Sequence, residues 1–148
     1  MTQIISYSWS LFAQDIKNLA DKIGRNNTSG KPKFKGIIAV TRGGLIPAYY
    51  LAEELGIKII KTICIESYTK SRSRMELKYH EADGFTEKID RVKDWLVVDD
   101  IIDTGQTMIY IKKKYPGIKI ATLFAKQIRP DYWVRNANGW VRFPWERD

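Results

Sequence analysis

Trp95-Leu96-Val97-Val98-Asp99-Asp100-Ile101-Ile102-Asp103-Thr104-Gly105-Gln106-Thr107 is the stretch whose reading decides the fold. Trp95 to Val98 is the short apolar run of a strand buried on both faces. It runs into two adjacent acids, then a third, then Thr-Gly-x-Thr, after which 105–114 predicts a helix stopped by Tyr115-Pro116-Gly117. In a parallel sheet, ligands bind beyond the carboxyl ends of the strands. A loop that enters a helix there presents free backbone N–H groups and the positive end of the helix dipole, which suit a phosphate. Gly105 lets the backbone approach closely, and Thr104 and Thr107 add hydroxyl donors. The acids upstream do not bind a phosphate; they suit the hydroxyls of a sugar diol or a divalent cation. Taken singly, each Asp reads as a strand end or a helix cap. Taken together, two carboxylates at the end of an apolar strand are unfavourable unless a ligand, a metal or a strong donor compensates them.

Outward from this stretch, the pattern alternates strand and helix. Residues 9–23 predict an amphipathic helix, with Leu11, Phe12, Ile16, Leu19, Ala20 and Ile23 at helical spacing and Gly24 as its stop. Residues 24–35 are loop by composition. Gly36 to Val40 predicts a buried strand, Thr41-Arg42-Gly43-Gly44 interrupts it, and a second helix follows with Pro47 in its first turn and Gly56 after its end. Residues 57–66 predict a strand and 118–124 another. The span 68–93 is polar and charged without a clear period, so it reads as a long loop, a feature that is often functional. The tail predicts a short strand near 132–134 and an aromatic segment from Trp140 to Trp145. These units predict one α/β domain over 1–148: a central, mainly parallel sheet flanked by helices, with a small C-terminal hood at about 126–148.

The 148 residues carry 25 Lys plus Arg against 17 Asp plus Glu, a net charge of +8. At 44% hydrophobic and 28% charged the chain is globular rather than disordered. One Cys excludes an internal disulfide framework and any multi-thiolate metal site, and one His excludes a two-histidine zinc motif. No apolar run reaches a membrane span and no signal peptide is expected, so the expected compartment is the cytoplasm. A charge of +8 fits either a nucleic-acid partner or a polyanionic small substrate. The basic residues are densest from Lys70 to Lys93, where acids interleave with them, as on a solvated segment.

The string from Val97 to Thr107 resembles the phosphoribosyl-diphosphate motif of the type I phosphoribosyltransferases. The resemblance extends in order along nearly the whole chain, from about Trp9 to Glu146. Gly36 to Pro47 is similar to the diphosphate loop of the bacterial xanthine–guanine enzymes. Ser67-Tyr68, Arg74 and Glu76-Leu77-Lys78 are similar to their mobile catalytic loop. Phe124-Ala125-Lys126, Trp140-Val141 and Pro144-Trp145-Glu146 are similar to their purine pocket. The segment Gln127 to Trp133 is shorter than in the enterobacterial enzymes, one extra residue stands between Arg74 and Leu77, and Glu146 replaces an expected Asp.

The resemblance implies transfer of the phosphoribosyl group from phosphoribosyl diphosphate to a 6-oxopurine, giving the mononucleotide and diphosphate, with Mg²⁺ as cofactor. It implies that Asp99 and Asp100 accept from the ribose diol, with Asp100 and Glu146 near the metal. Residues Asp103, Thr104, Gly105, Gln106 and Thr107 cradle the 5′-phosphate, and Asp103 faces N7 of the base as general acid/base. Arg42 and Gly43 bind the diphosphate, with a non-proline cis peptide beside Arg42. Tyr68, Arg74 and Lys78 close over the reacting centre. Lys126 donates to O6, Trp140 stacks on the base, and the Val141 carbonyl accepts from a 2-amino group. A homodimer or homotetramer is expected, with no nucleic-acid partner. The alternative on the same fold is a regulator that senses phosphoribosyl diphosphate and binds RNA or DNA. The net charge permits it, but a sensor needs no base pocket.

Overall fold

The computed structural model describes residues 2–24, 28–71, 74–81, 89 and 91–147, with the backbone alone for 66–71 and 74–81. Six strands form the main sheet: β2 (Gly36–Thr41), β3 (Ile59–Ser71), β4 (Arg74–Glu81), β5 (Trp95–Ile102), β6 (Lys119–Ala125) and β7 (Arg135–Asn136). Their order is β4-β3-β2-β5-β6-β7, parallel throughout except for the antiparallel β3–β4 pair. A second, two-stranded parallel sheet joins β1 (Ile4–Ser6) to β8 (Trp140–Arg142).

Helix α1 (Trp9–Ile23) has the predicted bounds. The Leu11 N–H donates to Ser8 Oγ at its start, and Gly24 ends it in the left-handed region at φ 106°. Its apolar stripe, Phe12, Ile16, Leu19, Ala20 and Ile23, is buried with the inner residues of α2 (Leu45–Leu55), including Ala48 and Leu51. Each such large side chain contributes about 1.5–3 kcal/mol by leaving water. Helix α3 (Gln106–Lys114) covers the opposite face through Met108 and Ile111. The strands divide their side chains between the two layers with period two. On β2, Ile37 and Ala39 face α1 and α2, while Ile38 and Val40 join the cluster of α3.

Two expectations are corrected, and one strand appears that was not expected. The span 68–93 is not all loop: Tyr68–Ser71 extends β3, and Arg74–Glu81 returns beside it as β4. The charges there hide a period-two pattern in which Met75, Leu77 and Tyr79 alternate with polar residues. The tail strand lies at Arg135–Asn136, and only an isolated bridge pairs Tyr132 with Ala121. Strand β1 was not expected; three residues carry too short a pattern, and its partner β8 lies at the far end of the chain.

Candidate active site

The order of the sheet creates the site. From β2 the chain crosses through α2 to β3 on one side; from β5 it crosses through α3 to β6 on the other. Strands β2 and β5 are neighbours, so the loops after them open a crevice at the topological switch point. The β2–α2 loop brings Arg42 and Gly43; the β5–α3 loop brings Asp103 and Thr104. The Thr41–Arg42 peptide is cis, as expected.

Gly43 and Asp100 face each other across this crevice. An ideal Cβ on Gly43 would stand 2.7 Å from Asp100 Cγ and 2.9 Å from its Oδ1, so only glycine lets the loop lie against the carboxylate. Gly44, which the sequence reading did not single out, has a stricter need. Its Cβ would meet the Val40 carbonyl oxygen at 2.7 Å, where backbone cannot retreat.

Asp99 and Asp100 are the last polar residues of β5, half-buried, and the Asp100 N–H donates to Asp99 Oδ1 at 2.8 Å. Burial, and then the neighbouring Asp100 charge, push the Asp99 carboxyl well above its usual range. Burial pushes Asp100 up to about 6, and the Glu146 carboxylate adds to the rise. Glu146 is held by a turn in which the Phe143 N–H donates to its Oε2 at 3.2 Å. Asp100 thus stands beside Asp99 in the chain and feels the charge of Glu146, and carboxylate oxygens of this kind suit a hard cation. Among the described residues no group of three or more candidate ligands forms a dedicated metal cage.

Gly105 precedes α3 at φ 84°, in the left-handed region that favours glycine, and Gln106 and Thr107 open the helix directly after it. The Lys126 ammonium lies 2.9 Å from Asp103 Oδ1. Lys126 is placed by the turn after β6, where its backbone N–H donates to the Ile102 carbonyl. A slot of about 100 Å³ is lined by Asp100, Asp103, Lys126, Trp140, Val141 and Glu146, among others, so six of the expected residues converge on one space. Trp140 is 58% exposed and offers its ring to that space instead of packing in the core. A wider cleft of about 740 Å³ continues from Trp140 and Glu146 past Arg42 and Gly43. Asp103, Thr104 and Lys126 also line a third opening of about 640 Å³ toward Ile128 and Asn138.

Arg142 and Arg147 line the wide cleft beside Arg42 and were missed in the sequence. The basic residues flanking the aromatic segment 140–145 were the available signal. The expected lid residues Tyr68, Arg74 and Lys78 stand in the β3–β4 hairpin, where Tyr68 pairs with Glu76, Arg74 with Ser71 and Lys78 with Glu66. Their side chains, and residues 82–88 of the expected loop, lie outside the described residues.

A crevice at the topological switch point of a parallel sheet, lined by Arg42, Gly43, Asp100 and Asp103, is the place where α/β proteins of this kind bind ligands. The family that carries this arrangement matches here: residues 6–146 match the phosphoribosyl transferase domain, and the chain belongs to that family. A xanthine–guanine phosphoribosyltransferase of Desulfotalea psychrophila is 38% identical over 149 residues, covering 95% of this chain and 85% of the relative. The crystal structure of a purine phosphoribosyltransferase from Pyrococcus horikoshii superposes with a TM-score of 0.79 at 31% identity, over 98% of this chain and 95% of that one. The xanthine–guanine–hypoxanthine phosphoribosyltransferase of Helicobacter pylori superposes with a TM-score of 0.74 at 25% identity, over 97% and 94% of the two chains.

Proposed function

We propose that this protein is a purine-salvage enzyme that transfers the 5-phosphoribosyl group from phosphoribosyl diphosphate to a 6-oxopurine. The observation that carries the reading is the Asp103–Lys126 pair at 2.9 Å, standing in one slot with the exposed Trp140 ring. A purine stacked on Trp140 meets a cation for O6 and a carboxylate for N7 on the same side. Lys126 favours an oxo group at position 6, because an amino group there cannot accept its proton. Asp103 takes the proton from N7 as N9 of the base bonds to the ribose C1′ and diphosphate leaves, and returns it in the reverse reaction.

The sugar side follows from the other wall. Thr104, Gly105, Gln106 and Thr107 supply hydroxyl and backbone donors for the 5′-phosphate. Asp99 and Asp100 accept from the ribose hydroxyls; burial is what raises the proton affinity of both. Arg42 and the Gly43 backbone receive the diphosphate as it departs, the guanidinium offering a planar fork of donors. Tyr68, Arg74 and Lys78 cover the centre and exclude water from an oxocarbenium-like transition state.

The carboxylates fit Mg²⁺. Asp100 and Glu146 would hold it, through water, and the bound ion would neutralise the diphosphate leaving group. The reading further places the protein in the cytoplasm as a homodimer or homotetramer. No described helix is long and apolar enough to cross a membrane. The alternative of a nucleic-acid-binding sensor leaves the facing Asp103 and Lys126 without a task.

Initial rates with phosphoribosyl diphosphate and Mg²⁺ against guanine, xanthine, hypoxanthine and adenine test the proposal. Turnover of 6-oxopurines with adenine inert is expected. Well-folded protein that turns over none of the four would overturn it.

A further inference from the structure

Asp15 is 1% exposed, in the middle of α1 and far from the switch-point crevice in sequence. Three donors saturate it. The Tyr7 hydroxyl donates to its Oδ2 at 2.7 Å, Arg135 Nε to Oδ2 at 2.6 Å, and Arg135 Nη2 to Oδ1 at 3.2 Å. Burial and the adjoining carboxylate push the Tyr7 hydroxyl far above its usual range, so it stays a donor. Burying a carboxylate is costly before its partners offset that cost, and apolar packing of the same volume is often at least as stable. Stability alone therefore gives no reason for the cluster.

What the partners are attached to supplies one. Tyr7 follows β1 directly, and its N–H donates to the Arg142 carbonyl at 3.1 Å. Strand β1 pairs Ile4 with Trp140 and Ile5 with Val141, and the Trp140 N–H donates to the Gln3 carbonyl at 2.8 Å. Tyr7 thus carries the strand that forms one wall of the base slot. Arg135 belongs to β7 and pairs with Phe124, two residues before Lys126. The Ala137 N–H reaches the Ala125 carbonyl at 3.0 Å. Arg135 thus grips the end of β6, from which the facing wall projects. The Tyr7 ring stands edge-on to Phe124 at 4.9 Å and to Phe143 at 5.8 Å, between the two walls.

We propose that Asp15 is a positioning residue: by binding Tyr7 and Arg135 together, it fixes the Trp140–Val141 strand at a set distance from Lys126 and so sets the width of the base slot. The claim about base affinity rests on the function proposed above; the claim about the tether does not.

The test compares wild type with Tyr7→Phe, Asp15→Asn and Arg135→Lys. Guanine and phosphoribosyl diphosphate are varied in turn, and amide hydrogen exchange is followed in the unliganded proteins. Loss of a hydrogen bond to a charged group predicts a KM for guanine raised roughly tenfold in Tyr7→Phe and Asp15→Asn, with the KM for phosphoribosyl diphosphate changed less than about twofold. The amides of Tyr7 and Trp140 lose protection in the same variants, and Arg135→Lys, which keeps the charge, is milder on both readouts. If Asp15→Asn fails to fold, Tyr7→Phe decides, because it removes one hydroxyl only. A lower melting midpoint with both KM values and both amides unchanged would overturn the proposal. If wild type turns over no purine, the functional reading fails, and the amide exchange alone judges the tether.

Discussion

Adding one methyl group at Gly43 tests the geometry of the crevice most directly. In Gly43→Ala the new carbon would stand 2.7 Å from Asp100 Cγ. Carbon atoms settle at about 3.5–4.0 Å, so the carboxylate must retreat by about 1 Å. Asp100 is half-buried, so it has room to turn, and the stability cost should stay within the roughly 1–3 kcal/mol of modest overpacking. Catalysis is less forgiving. A misplacement of about 1 Å in a positioning group costs about 10²-fold. The expected result is a folded protein whose kcat/KM for phosphoribosyl diphosphate falls about 10²-fold. Initial rates at saturating guanine, with circular dichroism and a melting curve as controls, give the answer. If Gly43→Ala kept kcat/KM within about twofold of wild type, a carboxylate displaced by that much would not matter to transfer. Asp100 would then have no place at the reacting sugar.

Three further outcomes are expected. Lys126→Met should lower kcat/KM for guanine and hypoxanthine by about 10–100-fold, the worth of a charge-assisted hydrogen bond, and narrow their advantage over adenine in parallel rate assays. Trp140→Ala should raise the KM for the base about tenfold through lost stacking, with little change for phosphoribosyl diphosphate; an unchanged base KM would return Trp140 to an ordinary surface residue. Asp100→Asn tests the acid pair through stability. The folded-state value of Asp100 is raised from 3.8 to about 6, so the native state holds more protons than the unfolded state across that window. Wild-type stability therefore falls as pH rises through the window and stays lower above it. The Asn variant escapes that fall, so its melting midpoint should gain on wild type between pH 4 and 8 while transfer is lost. A midpoint difference that does not vary with pH would contradict the raised value.

Much of this was legible in the sequence where local pattern and local structure coincide. The apolar spacing of α1, closed by Gly24, marked both its ends, because a helix signals its own caps. The Asp99–Thr107 stretch was readable because strand, loop and helix N-terminus are contiguous, so the residues proposed to meet the sugar phosphate are neighbours in the chain. What was hidden depends on distant pairing. Strand β1 has meaning only beside β8, and the Asp15 cluster joins α1 to a residue 120 positions away. Asp15 falls four residues after Leu11 and four before Leu19, on the inward stripe of α1, so its burial was readable; its partners were not. The β3–β4 hairpin failed for another reason: charges on alternate residues masked a strand period that the backbone pairing follows.

The pairing of β1 with β8 also orders events during synthesis. Strand, loop and helix of the proposed phosphate cradle, 95–114, lie within roughly the first three-quarters of the chain, and β5 pairs with β2 before it and β6 just after it. The base slot needs the first strand to wait for the last, and pairings of such sequence separation form late. A nascent or C-terminally truncated chain therefore holds the residues proposed to bind phosphate before it has the strand pairing proposed to choose a base, and on that reading selectivity is the last property the molecule acquires.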